Sequence, residues 1–467
     1  MAVDVSRRKF VQGSAAVGGG LAIGGPLSAL AANTAHGAAP TAAGYGKLFP
    51  TAEIETGEKF LALPRGFRYR LINKAGDPMR DGNPTPGIFD GMGAFKGPKN
   101  TTVLIRNHEN RSRPGEVTVP VPTGKRYDPN VDVRGGNTKL VVGPDRKLQE
   151  VFGVLGGTHT NCAGGETPWG SWITCEEIFN YGANSNSPSG GVPHGYAFEI
   201  PADATKAVTP QPIVDAGRFA REAVAWLDGV LYQTEDRGDA CLYRFLPAKQ
   251  PKEYGDLADF GGELQALVVK GQPNFDANLA EPGMTYEIEW VTLDEPNPLA
   301  DTLRQEAQSK GAAIFDRTEG AWATKSRVYF DCTTGGEAQL GQLWEIDPDK
   351  NGTDKLKLIF ESDDAGVLEN PDNLNVVPAT GDVFLQEDSA GDQFVRGVTP
   401  QGRIYDFAKG LINGTEFCGG CFSPDGKTFF VNHQGERLAT GQAPADQPAA
   451  DAGLTFAIWG PWDVRGA

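Results

Sequence analysis

The stretch REAVAWLDGVLYQTED, Arg221 to Asp236, contains a complete β-hairpin: an apolar run, the turn pair Asp228 and Gly229, a second apolar run, and charged residues at both outer ends. A hairpin brings the end of its second strand back to the level at which the first began, so the acids Glu222 and Glu235 belong to one edge of the sheet. Five other stretches repeat the plan: DGMGAFKGPKNTTVLIRNHE from Asp90, NCAGGETPWGSWITCEE from Asn161, EGAWATKSRVYFDCT from Glu319, PDNLNVVPATGDVFLQED from Pro371 and CGGCFSPDGKTFFVNHQ from Cys418. A third short apolar strand follows most copies, as GYAFEI, CLYRFLP, GQLWEIDP, GRIYDFA and TFAIWGPW, with TKLVV in that place after the first. Six copies of three or four short strands predict an all-β fold, a six-bladed β-propeller around a central channel. The copies are unevenly spaced, so insertions loop out from the rim, and ADTLRQEAQSKGAAIF from Ala300 is the main helical candidate among them.

Composition agrees with many short strands: 467 residues carry 61 Gly and 33 Pro, a high share of turn formers. The formal charge of −17 excludes nucleic acid and anionic membrane as partners, because both are gripped by basic surface. Near the N-terminus Arg7 and Arg8 precede a Gly/Ala-rich apolar stretch and the small-residue run Ala29 to Ala32. This is the layout of a twin-arginine export signal, too short and too glycine-rich for a membrane span. The expected organisation is a signal peptide over 1–32, a flexible linker over 33–48 and a single propeller domain over 49–467, secreted or periplasmic. The mature chain is expected to be a monomer outside any membrane.

Radial symmetry collects the strand ends at the channel mouth. Asp90, Asn161, Glu222, Glu319 and Asp372 come from strand starts; Glu109, Cys175, Glu176, Glu235, Asp331 and Glu387 come from strand ends. Singly, such an acid caps a turn or faces water. Together they repel one another unless multivalent cations share them. Oxygen donors suit calcium or magnesium, whereas a thiolate among them asks for a softer or more highly charged transition ion, which makes Cys175 in TPWGSWITCEE a ligand. His108, His159 and His433 fall in the same zones, but no HExxH or paired-histidine spacing marks them as ligands. Six cysteines are too few for a disulfide framework; the CGGC run at Cys418 to Cys421 is either a redox pair, half a metal site, or neither.

LPRGFRYRLI, FDGMGAF, IRNHEN, GGTHTNCAGGETPWGSWITCEE, REAVAW, YQTED, LYRFLP, NPDNL and CFSPDGKTFFVN with FAIWGPW together resemble the PhoX-type alkaline phosphatases of bacteria over most of the chain. The resemblance implies twin-arginine export, a six-bladed propeller, and a mixed cluster of iron (Fe3+) and calcium (Ca2+) on the axis that hydrolyses phosphate monoesters. By motif its bridging thiolate falls on Cys175, with Glu176, Glu222, Glu235, Glu319, Asp372 and Glu387 as further metal ligands. Cys175, Glu222 and Asp372 are then the catalytic core. Asn107, Asn161 and Glu109 are the expected substrate contacts, and Arg106 and Arg221 are either phosphate contacts or structural ion pairs. A calcium-dependent lactonase or esterase propeller, which has no use for Cys175, is the alternative enzyme. An exported binding propeller stiffened by calcium is the non-catalytic alternative.

Overall fold

The hairpin Arg221 to Asp236 forms as its turn chemistry dictates. Arg221–Leu227 pairs with Val230–Glu235 through a two-residue loop in which Asp228 (φ 51°) and Gly229 (φ 91°) are both left-handed, the requirement of a turn that matches strand twist. The computed structural model describes residues 44–113, 115–179, 192–349, 352–436, 449 and 451–464. The expected signal peptide lies outside these residues.

Six blades follow one another along the chain. Blade 1 is Phe89–Lys96, Thr102–His108, Gly135–Val142 and Leu148–Thr158, and blade 2 is Asn161–Glu166, Ser171–Glu176 and Ala197–Pro201. Blade 3 is Arg221–Leu227, Val230–Glu235, Tyr243–Pro247 and Gly262–Val269; blade 4 is Thr318–Ala323, Val328–Cys332, Gln342–Asp347 and Lys355–Glu361. An added strand, Thr285–Thr292, pairs with the outer strands of both and fuses blades 3 and 4 into one nine-stranded sheet. Blade 5 is Pro371–Val376, Val383–Glu387, Phe394–Val398 and Ile404–Gly410, extended outward by Leu61–Pro64 and Leu48–Thr51. GRIYDFA is therefore a fourth strand, not a third. Blade 6, Phe417–Phe422, Phe429–His433 and Leu454–Trp459, takes its outer strand from Arg68–Lys74 near the chain start. That pairing closes the ring.

Each blade has two apolar faces, so the hydrophobic interior is divided among the blade interfaces. Six buried clusters lie one in each seam: Phe95, Trp172 and Phe198 between blades 1 and 2; Ile173, Phe219 and Tyr243 between 2 and 3; Leu267, Phe330 and Trp344 between 3 and 4. Phe360, Leu374 and Leu385 fill the seam between 4 and 5; Phe384, Phe407, Phe429 and Trp462 that between 5 and 6; Met92, Leu140 and Phe430 that between 6 and 1. Tyr45, placed in the expected linker, is buried in the seam between 5 and 6 and its hydroxyl donates to the carbonyl of Trp462 at 3.0 Å. The packed body therefore begins before residue 49. The candidate helix from Ala300 forms over Leu303–Ser309, and a second helix occupies Asp256–Phe260.

Tyr69 reinforces the closure. Its hydroxyl, on the outer strand of blade 6, accepts the N–H groups of Phe60 (2.8 Å) and Leu61 (3.3 Å) and donates to the carbonyl of Thr51 (3.0 Å), all on the edge of blade 5. Tyr69→Phe leaves two buried donors without an acceptor and is expected to cost about 1–3 kcal/mol. The check is a lower midpoint of chemical denaturation; an unchanged midpoint contradicts the role given to this contact.

Candidate metal centre

One position recurs in all six blades. The innermost strand of each blade breaks register with its neighbour near its start, between Phe89 and Met92, Asn161 and Gly164, Arg221 and Val224, Thr318 and Ala321, Pro371 and Asn373, and Cys418 and Cys421. Such a bulge re-aims a side chain that regular alternation would send elsewhere. The second residues of these strands are Asp90, Cys162, Glu222, Glu319, Asp372 and Cys418, all buried. Asp90, Cys162, Glu222, Glu319 and Asp372 belong to overlapping groups whose ligand-capable atoms lie within 4.8 Å of one another.

The backbone around each position is equally regular. The residue just past the second strand donates its N–H to the carbonyl two positions before the ring residue: Glu109 to Ile88, Glu177 to Thr160 and Asp388 to Asn370, each at 2.9 Å, with Asp236 to Ala220, Thr333 to Arg317 and Gln434 to Glu416 completing the set. Ile88 (φ 49°), Thr160 (φ 48°), Arg317 (φ 55°) and Asn370 (φ 49°) adopt the left-handed conformation there, which is strained for β-branched Ile and Thr. The inner strands approach closely just beyond the ring. A Cβ on Gly91 would sit 2.5 Å from Ala163 Cα, and one on Gly419 would sit 2.3 Å from the carbonyl oxygen of Asp90.

Among the described residues, four groups of three share corners: Asp90, Glu109 and Cys162; Cys162, Glu177 and Glu222; Glu222, Glu319 and Asp372; Asp372, Asp388 and Glu416. Burial, then the neighbouring acids Glu109 and Asp372, push the Asp90 carboxyl well above its ordinary range. Glu222 is pushed the same way by burial and then by Glu177, Asp372 and Asp90. Glu319 is raised by burial, opposed by Arg317, with Asp372 adding to the rise. The Cys162 thiol is raised by burial and then by Asp90 and Glu222, and it donates to Asp90 Oδ2 at 3.3 Å. Neither oxygen of Glu222 has a hydrogen-bond donor other than that thiol. Buried acceptors without donors, arranged around a common axis, suit multivalent cations.

Several expected site residues stand elsewhere. Cys175 lies in the seam between blades 2 and 3 among Ile173, Ala197 and Phe219, and burial pushes its thiol up to about 12. Among the described residues the thiol within the candidate groups is Cys162. Glu176 turns away and accepts from His194 Nδ1 and the N–H groups of His159, Gly195 and Tyr196. Glu235 is held by the hydroxyl of Tyr243 (2.8 Å) and Arg304 (3.6 Å), and Glu387 by Arg396 (2.9 Å). Asp331 accepts from the N–H of Gly320 at 2.8 Å and braces an inner strand. Asn161 bonds Thr158 and Thr174. Asn107 donates to the carbonyls of Cys162 (2.6 Å) and Ala163 (2.7 Å), so it holds the bulge that carries the ring thiol and does not face the mouth. Glu109 joins the ring itself. Arg106 bonds Thr455 and lies over Phe89, while Arg221 bonds Gln233 and the carbonyls of Ala216 and Gly217, so both are structural. His108, His159 and His433 are buried within local hydrogen bonds. In CGGC the bulge separates the two thiols: Cys418 donates to the carbonyl of Phe89 at 3.0 Å, and Cys421 enters the seam between blades 6 and 1. Both are free.

Four of the missed residues obey one rule, and Glu416 lies outside it. Register pairs Glu176 with Asn161, Glu235 with Arg221 and Glu387 with Pro371, so each of these expected residues sits one step from the ring layer. Since side chains alternate, one step reverses the direction in which they point. Cys162, Glu177, Asp236 and Asp388 are the residues one step on. Two arginines also reach this rim: Arg111 pairs with Glu109, and Arg317 pairs with Asp236 (2.7 Å) and Glu319, their side chains 29% and 24% exposed. Beneath the ring the channel shrinks to a cavity of about 20 Å³ lined by Met92, Trp172, Trp322 and Leu374 together with small inner-strand residues. That is room for about one water.

The sequence profile of the family described as alkaline phosphatase PhoX matches residues 44–153 and 136–436. No curated protein matches the chain. Among solved structures, PhoX from Pseudomonas fluorescens in complex with vanadate, described as a transition state analogue, superposes with a TM-score of 0.67 at 19% identity, over 90% of this chain and 98% of that one. A gluconolactonase from Xanthomonas campestris is aligned over 89% of this chain and 98% of its own at a TM-score of 0.39 and 11% identity, too remote to inform the site. The first of these likenesses agrees with the propeller architecture.

The electrostatics of the ring give a signed expectation for metal-free protein. A carboxyl whose folded value is raised stabilises the fold fully below its unfolded value near 4, and that contribution is lost as pH rises through the folded value. Asp90, Glu222 and Glu319 all shift in this direction, burial being the first cause of each. As pH rises above that unfolded value the metal-free protein is expected to melt at falling temperature. Added calcium should raise the melting temperature, and by more at higher pH, because cations and protons compete for the same oxygens. A calcium-induced shift that is absent, or independent of pH, contradicts the assignment of the ring as a cation site.

Proposed function

The chain belongs to the PhoX alkaline phosphatase family, and from that membership we propose that it is an exported, metal-dependent phosphatase acting on phosphate monoesters. The observation that carries the proposal is the chain of acidic groups sharing the corners Cys162, Glu222 and Asp372. A site for one structural calcium would use a single such group.

The donor sets suggest how two kinds of cation would be divided. The groups that contain the Cys162 thiol would hold iron, since sulfur with several carboxylates favours a highly charged transition ion. Glu222, Glu319 and Asp372, and likewise Asp372, Asp388 and Glu416, offer oxygen alone and would hold calcium. Such cations supply local positive charge for an anionic phosphate and an activated water for its hydrolysis.

The chain's own groups do the rest. Arg111 and Arg317 would donate to phosphoryl oxygens from the rim, each already oriented by a ring carboxylate. The shrunken channel below admits no substrate, so the ester would approach from the ring face and its leaving group would point outward. Among the described residues no helix is long and apolar enough to cross a membrane. Arg7, Arg8 and the run Ala29 to Ala32 support twin-arginine export of the chain, with periplasmic or secreted action.

Two cysteine variants test the reading. Cys162→Ser is expected to lose iron by elemental analysis and to lower hydrolysis of an aryl phosphate by at least about 100-fold, the loss of a metal ligand. Cys175→Ser is expected to keep metal and activity while losing about 1–3 kcal/mol of stability, because a hydroxyl replaces a thiol in an apolar seam. Full iron and activity in Cys162→Ser contradict the proposal.

A further inference from the structure

A second carboxylate arrangement lies behind the ring, on the side of blade 2. Glu176 is fully buried and accepts four hydrogen bonds: from the N–H of His159 (3.0 Å), Gly195 (2.8 Å) and Tyr196 (3.2 Å), and from His194 Nδ1 (2.7 Å). The other ring nitrogen of His194, Nε2, faces Asp128 Oδ2 at 3.4 Å. An ionised carboxylate only accepts, so a histidine held between two of them donates from both nitrogens and is an imidazolium. Tyr127 packs edge-on against that ring at 5.4 Å and shuts out solvent.

This buried assembly grips both chain segments that enter the ring from blade 2. Glu176 directly precedes Glu177, whose N–H donates to the carbonyl of Thr160. It also holds the N–H of His159, which leads through Thr160 and Asn161 into Cys162. Thr160 is β-branched with φ 48°, a conformation that persists only where its surroundings enforce it. The equivalent strand-end positions His108, Cys332 and His433 carry no carboxylate, and Glu235 and Glu387 pair with arginines.

We propose that His194 is a positioning residue for the metal centre: its Nδ1–H orients Glu176, and Glu176 fixes the strained Thr160 turn so that Cys162 and Glu177 face the axis together. The inference rests on the metal-centre reading above. Outer partners of this kind are worth about 10–100-fold in metal affinity.

The test exploits the two ring nitrogens. In His194→Asn the amide nitrogen overlays Nδ1 and keeps the donor to Glu176; in His194→Gln it overlays Nε2 and keeps only the bond to Asp128. The readout is iron and calcium per chain after dialysis against a chelator, with the melting temperature of each metal-free variant as a folding control. His194→Gln is expected to lose metal roughly 10–100-fold more readily than wild type, and His194→Asn to stay closer to wild type. Packing alone gives the opposite order, because Gln fills the histidine volume better. Equal retention by the two variants, or greater loss from His194→Asn, overturns the proposal. If wild type itself holds no metal, the metal-centre reading fails first. Should His194→Gln not fold, the comparison passes to Glu176→Gln, expected to lose metal, and Asp128→Asn, expected to keep it; the reverse order or equality overturns the proposal.

Discussion

Repulsion between buried carboxylates is the constraint around which this propeller is organised. Unit charges 4.8 Å apart, the upper limit of spacing within the ring groups, repel by about 3.5 kcal/mol at an effective dielectric constant near 20, and closer ones by more. A whole domain is stable by only about 5–15 kcal/mol, so a few such pairs rival everything that holds the fold together. The acids can stand so close only if they take up protons or share cations. Apolar seams between blades hold the strands rigidly enough to enforce the conflict, and the conflict makes the site selective for multiply charged ions.

The bulge in each inner strand converts a repeating scaffold into a converging one. Without it, the second residue of the strand would follow the alternation of its neighbours and pack into a seam. With it, Asp90, Cys162, Glu222, Glu319, Asp372 and Cys418 occupy equivalent ring positions, and small residues such as Gly91 and Ala163 beyond them let the strands close in. The ring is not chemically sixfold, however. Around blade 4, Arg317 stands between Asp236 and Glu319, and Thr333 replaces the acid found at Glu109, Glu177 and Asp388. Blade 4 therefore contributes a single carboxylate, Glu319, to the candidate groups, and that carboxylate also pairs with a guanidinium.

Much of this was legible in the sequence because turn chemistry and apolar runs are local. Asp228-Gly229 specifies a hairpin in any context, and six such hairpins leave few alternatives to a propeller. Closure was not legible, because the strand Arg68–Lys74 has no hairpin partner nearby and pairs with Leu454–Trp459 across almost the whole chain. Phase was the second failure. Two acids end ITCEE, and nothing local says whether Glu176 or Glu177 faces the axis; the bulge decides it. The same step of one residue separates Asn161 from Cys162 and Glu387 from Asp388. An acid or cysteine followed by a small residue marks five of the six inner strands, as Asp90-Gly91, Cys162-Ala163, Glu222-Ala223, Glu319-Gly320 and Cys418-Gly419, with Asp372-Asn373 the exception, and aligning on it carries the correct phase in the sequence itself.

The central claim is that a thiol and the surrounding acids jointly hold metal on the axis, and crystals of the natively exported protein test it by anomalous scattering measured on either side of the iron absorption edge. The expected result is an iron peak within bonding distance of Cys162 Sγ, flanked by carboxylates of the ring. An axis without anomalous density, or an iron bound at Cys175 instead, would contradict the account.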